Sequence, residues 1–163
     1  MAAVLFDLDG VLYESDSPIA GAADTVNWFR KNKIPHLFLT NTTSRSREQL
    51  VEKLADFAIE CQPKDLLTPP LAAIQWMSEK GIKDIALFIP ESTQSEFAQF
   101  SLHEQEDDKV DAVVIGDLGE QWDFATMNRV FRLLINNPDA KLIALGMTRY
   151  WRNKGKLQLD AGP

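Results

Sequence analysis

The chain has 163 residues, of which 45% are hydrophobic and 25% charged, and its formal net charge is −7. This composition is typical of a globular protein that buries a core, and it argues against a disordered chain. The acidic balance gives no electrostatic reason to expect nucleic acid or an anionic membrane as a partner.

The only cysteine, Cys61, excludes an internal disulfide bond and fits a reducing compartment. No apolar run approaches the roughly 18 residues of a membrane-spanning helix. The sequence passes from Met1 directly into an apolar segment without a basic leader, so we expect no signal peptide. We therefore expect a cytoplasmic protein that binds neither nucleic acid nor membrane.

The first predicted element is a buried strand over residues 2–7, which leads into two aspartates. Asp7 and Asp9 share one side of an extended chain, because side chains repeat every second residue. Adjacent carboxylates repel, so such a pair usually needs a cation or a division between acid and base roles. Gly10 then permits a turn. The pattern indicates a reaction centre, although two solvated acids at a strand end would look the same.

Strands and helices then alternate after a loop over residues 10–20. We predict a helix over 22–33, a strand over 34–39, a helix that Ser46 and Gln49 open as a capping box, a strand over 65–68 and a helix from Pro69 to about Lys80. This alternation favours a parallel sheet with right-handed crossovers. In open parallel sheets, ligands bind at the carboxyl ends of the strands.

A polar segment, Thr-Asn-Thr-Thr-Ser over residues 40–44, follows the second predicted strand. Hydroxyl groups, an amide and the start of the next helix meet there, which suits a phosphate. Ordinary helix capping uses the same residue types, and on this segment alone capping is the favoured interpretation.

A second unit is predicted after Gly81. Its elements are strands over 84–89, 110–115 and 141–145, helices over 92–100 and 123–136, an acidic loop over 103–109 and a short strand near residues 157–159. His36 and His103 lack neighbouring metal-ligand residues, so we expect structural or solvated roles for both.

The two strand-end segments together resemble the haloacid dehalogenase (HAD) superfamily, and within it the NagD-like phosphatases of subclass IIA. The segments are Asp-Leu-Asp-Gly-Val-Leu-Tyr at residues 7–13 and Leu-Thr-Asn-Thr-Thr at residues 39–43. Runs at 116–118, 122–124, 149–151 and 159–163 resemble the cap of that subclass. The resemblance implies an α/β fold, with a partial Rossmann-like core of three parallel strands over residues 1–80 and an inserted α/β cap over residues 81–163.

The resemblance also implies a Mg²⁺-dependent hydrolase that removes phosphate from a small phosphorylated metabolite through an aspartyl-phosphate. Asp7 matches the nucleophile and a metal ligand. Asp9 matches the general acid/base, with its carbonyl as a second metal ligand. Residues 10–13 match a mobile segment beside the nucleophile. The phosphate-binding residues that the resemblance implies are Leu8 and Gly10, through their backbone amides, together with Thr40 and Asn41.

In the cap-like part, Arg149 and Tyr150 are the first candidates for substrate or interface contact, and the resemblance makes a homodimer through the cap plausible. Family members continue beyond the position of Pro163 with core strands, a lysine and an acidic pair that completes the metal site. We therefore expect a chain truncated at its C-terminal side. Two alternatives stay open: an impaired fragment that binds phosphate or assembles through the cap, and a phosphotransferase such as a sugar mutase.

Overall fold

The computed structural model describes residues 3–153, 156–160 and 162. By their contacts, Met1–Asn41 with Arg45–Thr68 form one compact unit, and Thr42–Ser44 with Pro69–Pro163 form a second. These two units are defined by the contacts within each of them and not by function. The assignment of residues 1–80 to a catalytic core and of residues 81–163 to a cap stays a prediction.

The first unit alternates strands with helices. Its elements are β1 (Val4–Asp7), β2 (Tyr13–Glu14), β3 (Ser17–Pro18), α1 (Ala22–Lys31), β4 (His36–Leu39), α2 (Arg47–Asp56) and β5 (Leu66–Leu67). The strands β1, β4 and β5 form a parallel sheet in that order, which confirms the predicted three-stranded sheet. The predicted loop over residues 10–20 instead contains the small antiparallel hairpin of β2 and β3.

Both helices of the first unit contribute to one apolar core. Val26 on α1 and Leu50 and Leu54 on α2 are fully buried in a cluster with Leu8 and Phe38. Burying a side chain of this size stabilises a fold by about 1.5–3 kcal/mol.

The predicted capping box at the start of α2 is confirmed. The Ser46 hydroxyl accepts from the Gln49 amide at 3.3 Å. The Gln49 side-chain oxygen accepts from the Ser46 amide at 3.1 Å. These hydrogen bonds satisfy two backbone donors, the Gln49 amide in the first turn of the helix and the Ser46 amide of the capping residue. The helix therefore begins at a defined residue.

The second unit is also α/β. Its elements are α3 (Pro69–Glu79), β6 (Asp84–Phe88), α4 (Glu91–Gln94), β7 (Ser101–Leu102), β8 (Ala112–Ile115), α5 (Phe124–Asn136), β9 (Lys141–Ala144), β10 (Tyr150–Asn153) and β11 (Lys156–Leu159). A parallel sheet runs in the order β7-β6-β8-β9, and β10 pairs with β11 as an antiparallel hairpin.

The predicted helix over residues 92–100 is confirmed only in its first part. The short helix α4 is followed by a 3₁₀ turn over Ser95–Phe97, and β7 begins just after the segment, at Ser101. Ser101 pairs with Asp84 in the sheet, and Phe97 and Phe100 are buried in the core beneath it. Tertiary pairing and burial therefore override the local helical pattern.

The central strand β8 is buried on both faces. Ala112 and Val114 share an apolar cluster with Ile74 and Met77 of α3. The intervening Val113 shares another with Leu133 of α5. A strand covered on both sides needs a continuous apolar run, as in Ala-Val-Val-Ile. Among the helices of the described residues, none combines the length and apolar character that crossing a membrane requires.

Candidate active site

Two of the predicted site residues lie at neighbouring strand ends in the first unit. Asp7 is the last residue of β1 and pairs in register with Leu39, the last residue of β4. Thr40 follows directly, and its amide donates to the Leu67 carbonyl at 3.2 Å. Neighbouring strands lie about 4.8 Å apart, so Asp7 and Thr40 share one end of the sheet. Sequence reasoning predicted this juxtaposition from the parallel order of the strands.

The Asp7 carboxylate is oriented by its own backbone. The Leu8 amide donates to Asp7 Oδ1 at 2.8 Å. The Leu8 side chain is fully buried, which anchors that amide, while Asp7 itself is exposed. One carboxylate oxygen is thus held in place by a backbone hydrogen bond.

A tight loop follows Asp7 and carries the exposed Asp9. The Leu8 carbonyl accepts from the Leu12 amide at 2.9 Å and from the Tyr13 amide at 3.3 Å. In return, the Gly10 amide donates to the Tyr13 carbonyl at 2.7 Å. Gly10 has φ +82°, a conformation that side chains rarely adopt. The second carboxylate is therefore displayed by a loop whose shape depends on glycine.

The two amides predicted to bind phosphate, those of Leu8 and Gly10, both donate within this loop. Thr40 is buried, whereas Asn41 beside it is exposed. The structure places all four predicted phosphate-binding residues in the first unit. Their role toward phosphate stays a prediction.

Sequence reasoning missed Tyr13 and Arg45 as members of this electrostatic environment. Tyr13 is 4% exposed. Burial, reinforced by the negative charges of Asp9 and Asp7, raises the pKa of its phenol to about 12, although Arg45 opposes the shift. The only sequence signals are the position of Tyr13 shortly after Asp9 and that of Arg45 as the first cation after the 40–44 segment.

Because the pKa of Tyr13 is raised in the folded state, we expect the free energy of unfolding to fall at alkaline pH. The folded pKa of about 12 exceeds the ordinary value of 10.0, so the native state retains a proton that the unfolded state loses. Stability is therefore fully present below pH 10 and falls as the pH rises toward 12. Denaturant unfolding between pH 9 and pH 12 should show a shallower decline in Tyr13→Phe than in the native protein. If the free energy of unfolding fell equally steeply with pH in the two proteins, the raised pKa of Tyr13 would be contradicted.

Cys61 and the two histidines take no part in this site. Burial raises the pKa of the half-buried Cys61 thiol to about 11, so the thiol is protonated at neutral pH and a poor nucleophile. His36 Nδ1 lies 2.9 Å from the Ile34 carbonyl oxygen. His103 Nε2 lies 2.8 Å from an Asp84 carboxylate oxygen. These contacts fit the predicted structural roles.

Arg149 and Tyr150 lie in the second unit and are exposed. Tyr150 begins β10, and the Arg149 carbonyl accepts from the Asp160 amide at 3.1 Å. The backbone of both residues is thus part of the folded second unit, and their contact with a substrate stays a prediction.

Residues 4–103 match the family described as haloacid dehalogenase-like hydrolase. The chain is 32% identical over 164 residues to phospholysine phosphohistidine inorganic pyrophosphate phosphatase of Homo sapiens, covering 98% of this chain and 58% of the relative. It is 31% identical over 163 residues to haloacid dehalogenase-like hydrolase domain-containing protein 2 of Mus musculus, covering 100% and 60%. The chain therefore spans less than two thirds of the length of these relatives.

Solved structures share the fold across nearly the whole chain. A p-nitrophenyl phosphatase from Archaeoglobus fulgidus has a TM-score of 0.87 at 21% identity, covering 98% of this chain and 60% of that chain. NagD from E. coli K-12 has a TM-score of 0.83 at 20% identity, covering 98% and 61%. A glycerol phosphate phosphatase from Mycobacterium tuberculosis in complex with magnesium has a TM-score of 0.85 at 21% identity, covering 98% and 48%.

Proposed function

Because the chain belongs to the haloacid dehalogenase-like hydrolase family, we propose that its protein hydrolyses phosphate esters of small metabolites through an aspartyl-phosphate on Asp7. The observation that carries the proposal is the position of Asp7 beside Thr40 at adjoining ends of β1 and β4, with Asp9 in the next turn. The reaction divides one difficult displacement into two easier ones.

In the first step, Asp7 Oδ2 attacks the phosphorus atom and the phosphorus–oxygen ester bond breaks. The hydrogen bond from the Leu8 amide to Asp7 Oδ1, 2.8 Å long, fixes the carboxylate while Oδ2 reacts. Holding a nucleophile in one orientation removes part of the entropic barrier.

Asp9 serves both steps as acid and then as base. It protonates the leaving oxygen in the first step, then takes a proton from water, which attacks the phosphorus of the acyl phosphate. The bond between phosphorus and the Asp7 oxygen breaks, and the carboxylate is restored. The exposed position of Asp9 allows it to reach both the leaving group and water.

Thr40 and Asn41 bind the transferring phosphoryl group in this proposal. The Thr40 hydroxyl and the Asn41 amide are uncharged donors, so they stabilise the phosphoryl oxygens through hydrogen bonds. Thr40 is only 4% exposed, and its backbone amide donates a hydrogen bond to the Leu67 carbonyl. Both features hold the residue in one place. Leu8 and Gly10 also belong to the predicted phosphate site, but their amides donate to Asp7 Oδ1 and to the Tyr13 carbonyl in this structure, so the proposal does not rely on them to bind phosphate.

The proposal includes Mg²⁺ as cofactor. Within residues 3–153, 156–160 and 162, no group of three or more His, Cys, Asp or Glu side chains could hold a metal ion. The Asp7 carboxylate and the Asp9 backbone carbonyl nevertheless fit Mg²⁺, which takes few oxygens from the protein while water and substrate phosphate fill the remaining positions. Bound there, Mg²⁺ would neutralise charge between the Asp7 carboxylate and the phosphate.

Metal removal tests the proposed function directly. The native protein should release phosphate from p-nitrophenyl phosphate with added Mg²⁺, lose this activity in excess EDTA and regain it when Mg²⁺ is restored. Calcium at equal concentration serves as control, because its larger and more flexible shell fits the same oxygens less tightly. Undiminished activity in EDTA would contradict the metal requirement, and transfer of phosphate to a sugar instead of water would favour a phosphotransferase.

Residues 81–163 form the cap in this proposal, and Arg149 and Tyr150 are its first candidates for substrate or interface contact. Assembly of two copies through this cap is part of the same proposal. It is supported by an exposed apolar stripe on α5, whose members are Phe124, Met127, Phe131 and Ile135. The near-even spacing lets two such stripes pack antiparallel about a two-fold axis.

A cytoplasmic location is also proposed, supported by the single cysteine of the chain.

A further inference from the structure

The hairpin that follows the catalytic loop is bonded directly to it. The Tyr13 amide donates to the Leu8 carbonyl, and the Tyr13 carbonyl accepts from the Gly10 amide. These two hydrogen bonds therefore join Tyr13 to the residues on either side of Asp9. Tyr13 is also the first residue of β2 and pairs with Pro18 of β3. A displacement of the hairpin would therefore displace the turn that carries Asp9.

Lys53 of α2 fastens this hairpin. Its ammonium nitrogen donates to the Ser15 carbonyl at 2.6 Å and lies 4.2 Å from the centre of the Tyr13 ring. The same nitrogen lies 3.6 Å from Asp16 Oδ1. The Lys53 side chain is only 13% exposed, whereas that of Asp16 is 92% exposed. The hydrogen bond and the ring contact are thus the substantial interactions, because an ion pair with so exposed a partner contributes little.

The hairpin needs such a support at its tip. Ser15 has φ +54°, a left-handed conformation that is unfavourable for a residue with a side chain. Such a conformation persists where surrounding contacts impose it. Lys53 bonds the carbonyl of this residue, and Phe57, one helical turn further along, places its ring 5.6 Å from that of Tyr13.

We propose that Lys53 is a positioning residue for Asp9: by fixing the β2–β3 hairpin to α2, it holds the Asp9–Gly10 turn in its catalytic position. The proposal rests on the proposed function for its catalytic meaning. Its structural part, that Lys53 holds this turn, stands on the contacts of the first unit alone.

Hydrogen exchange tests the structural part without using activity. Lys53→Met keeps most of the aliphatic stem and removes the donor and the charge, whereas Lys53→Arg keeps both. We expect the Gly10 and Tyr13 amides to exchange about tenfold faster in Lys53→Met and within about twofold of native in Lys53→Arg. Arg30→Gln is the matched control, because Arg30 forms an ion pair at 2.7 Å with Glu60 in the same unit. Native exchange in Lys53→Met would overturn the proposal.

Steady-state kinetics test the catalytic part. Lys53→Met should lower kcat for p-nitrophenyl phosphate about tenfold and leave KM within about twofold, because Asp7 and Thr40 are untouched. Lys53→Arg should restore most of kcat, and Arg30→Gln should match the native protein. Unchanged kcat despite faster exchange would overturn the positioning role. If the native protein releases no phosphate, the proposed function fails and the catalytic role fails with it, while exchange still decides whether Lys53 holds the turn.

Discussion

Asp7→Asn should reduce phosphate release from p-nitrophenyl phosphate by about 10⁴-fold or more. The amide replaces the attacking carboxylate with a group that cannot form an acyl phosphate, so the covalent route is lost entirely. The substitution is nearly isosteric, and the amide oxygen can still accept from the Leu8 amide, which is 2.8 Å from Asp7 Oδ1 in the native protein. We therefore expect the loss to appear in turnover and not in folding.

The matched control is Asp56→Asn, which removes an exposed carboxylate at the end of α2. Phosphate release and thermal unfolding should be measured for both variants beside the native protein. Asp56→Asn should keep native activity, and both variants should unfold within a few degrees of it. Full activity in Asp7→Asn would show that another group is the nucleophile.

Asp9→Asn is expected to lower kcat by about 10²- to 10⁴-fold, the range typical of a lost general acid/base. The two steps should respond differently to the leaving group. p-Nitrophenolate leaves readily without a proton, so the first step should survive, whereas hydrolysis of the acyl phosphate still needs a base. The variant should therefore release about one equivalent of p-nitrophenol per site in a burst and then turn over slowly.

An alkyl phosphate provides the contrasting substrate for Asp9→Asn. Its alkoxide is a poor leaving group, so the first step needs the acid that the variant lacks, and no burst should appear. Stopped-flow measurement with both substrates separates the two roles. Equal bursts with both substrates would contradict the assignment of Asp9 as the acid, and a native steady-state rate would contradict both roles.

Local signals predicted much of the fold. The apolar run of residues 4–6 ends at Asp7, and the second apolar run ends at Thr40, so a parallel arrangement brings these residues to one edge. Ser46 and Gln49 likewise predicted the start of α2 from their spacing alone. These features depend on residues close in sequence, where periodicity and capping carry the information.

Contacts between distant residues could not be predicted in this way. Lys53 donates to a carbonyl 38 positions away, at Ser15, and nothing in the pattern of α2 indicates that contact. β7 forms because Ser101 pairs with Asp84 in the sheet. The sequence around Ser101 carries no signal for this pairing with a residue 17 positions earlier. The environment of Tyr13 likewise depends on its packing against Lys53 and Phe57, which lie more than 35 positions further along the chain.

The central claim is that a phosphoryl group passes through Asp7, and trapping that intermediate tests it most directly. Asp9→Asn should be mixed with p-nitrophenyl phosphate, quenched in acid and digested, and its peptides analysed by mass spectrometry. We expect a mass gain of one phosphoryl group on the peptide that contains Asp7, and no such gain in the double variant Asp7→Asn with Asp9→Asn. Turnover without any label on Asp7, or a label on a different residue, would contradict this claim.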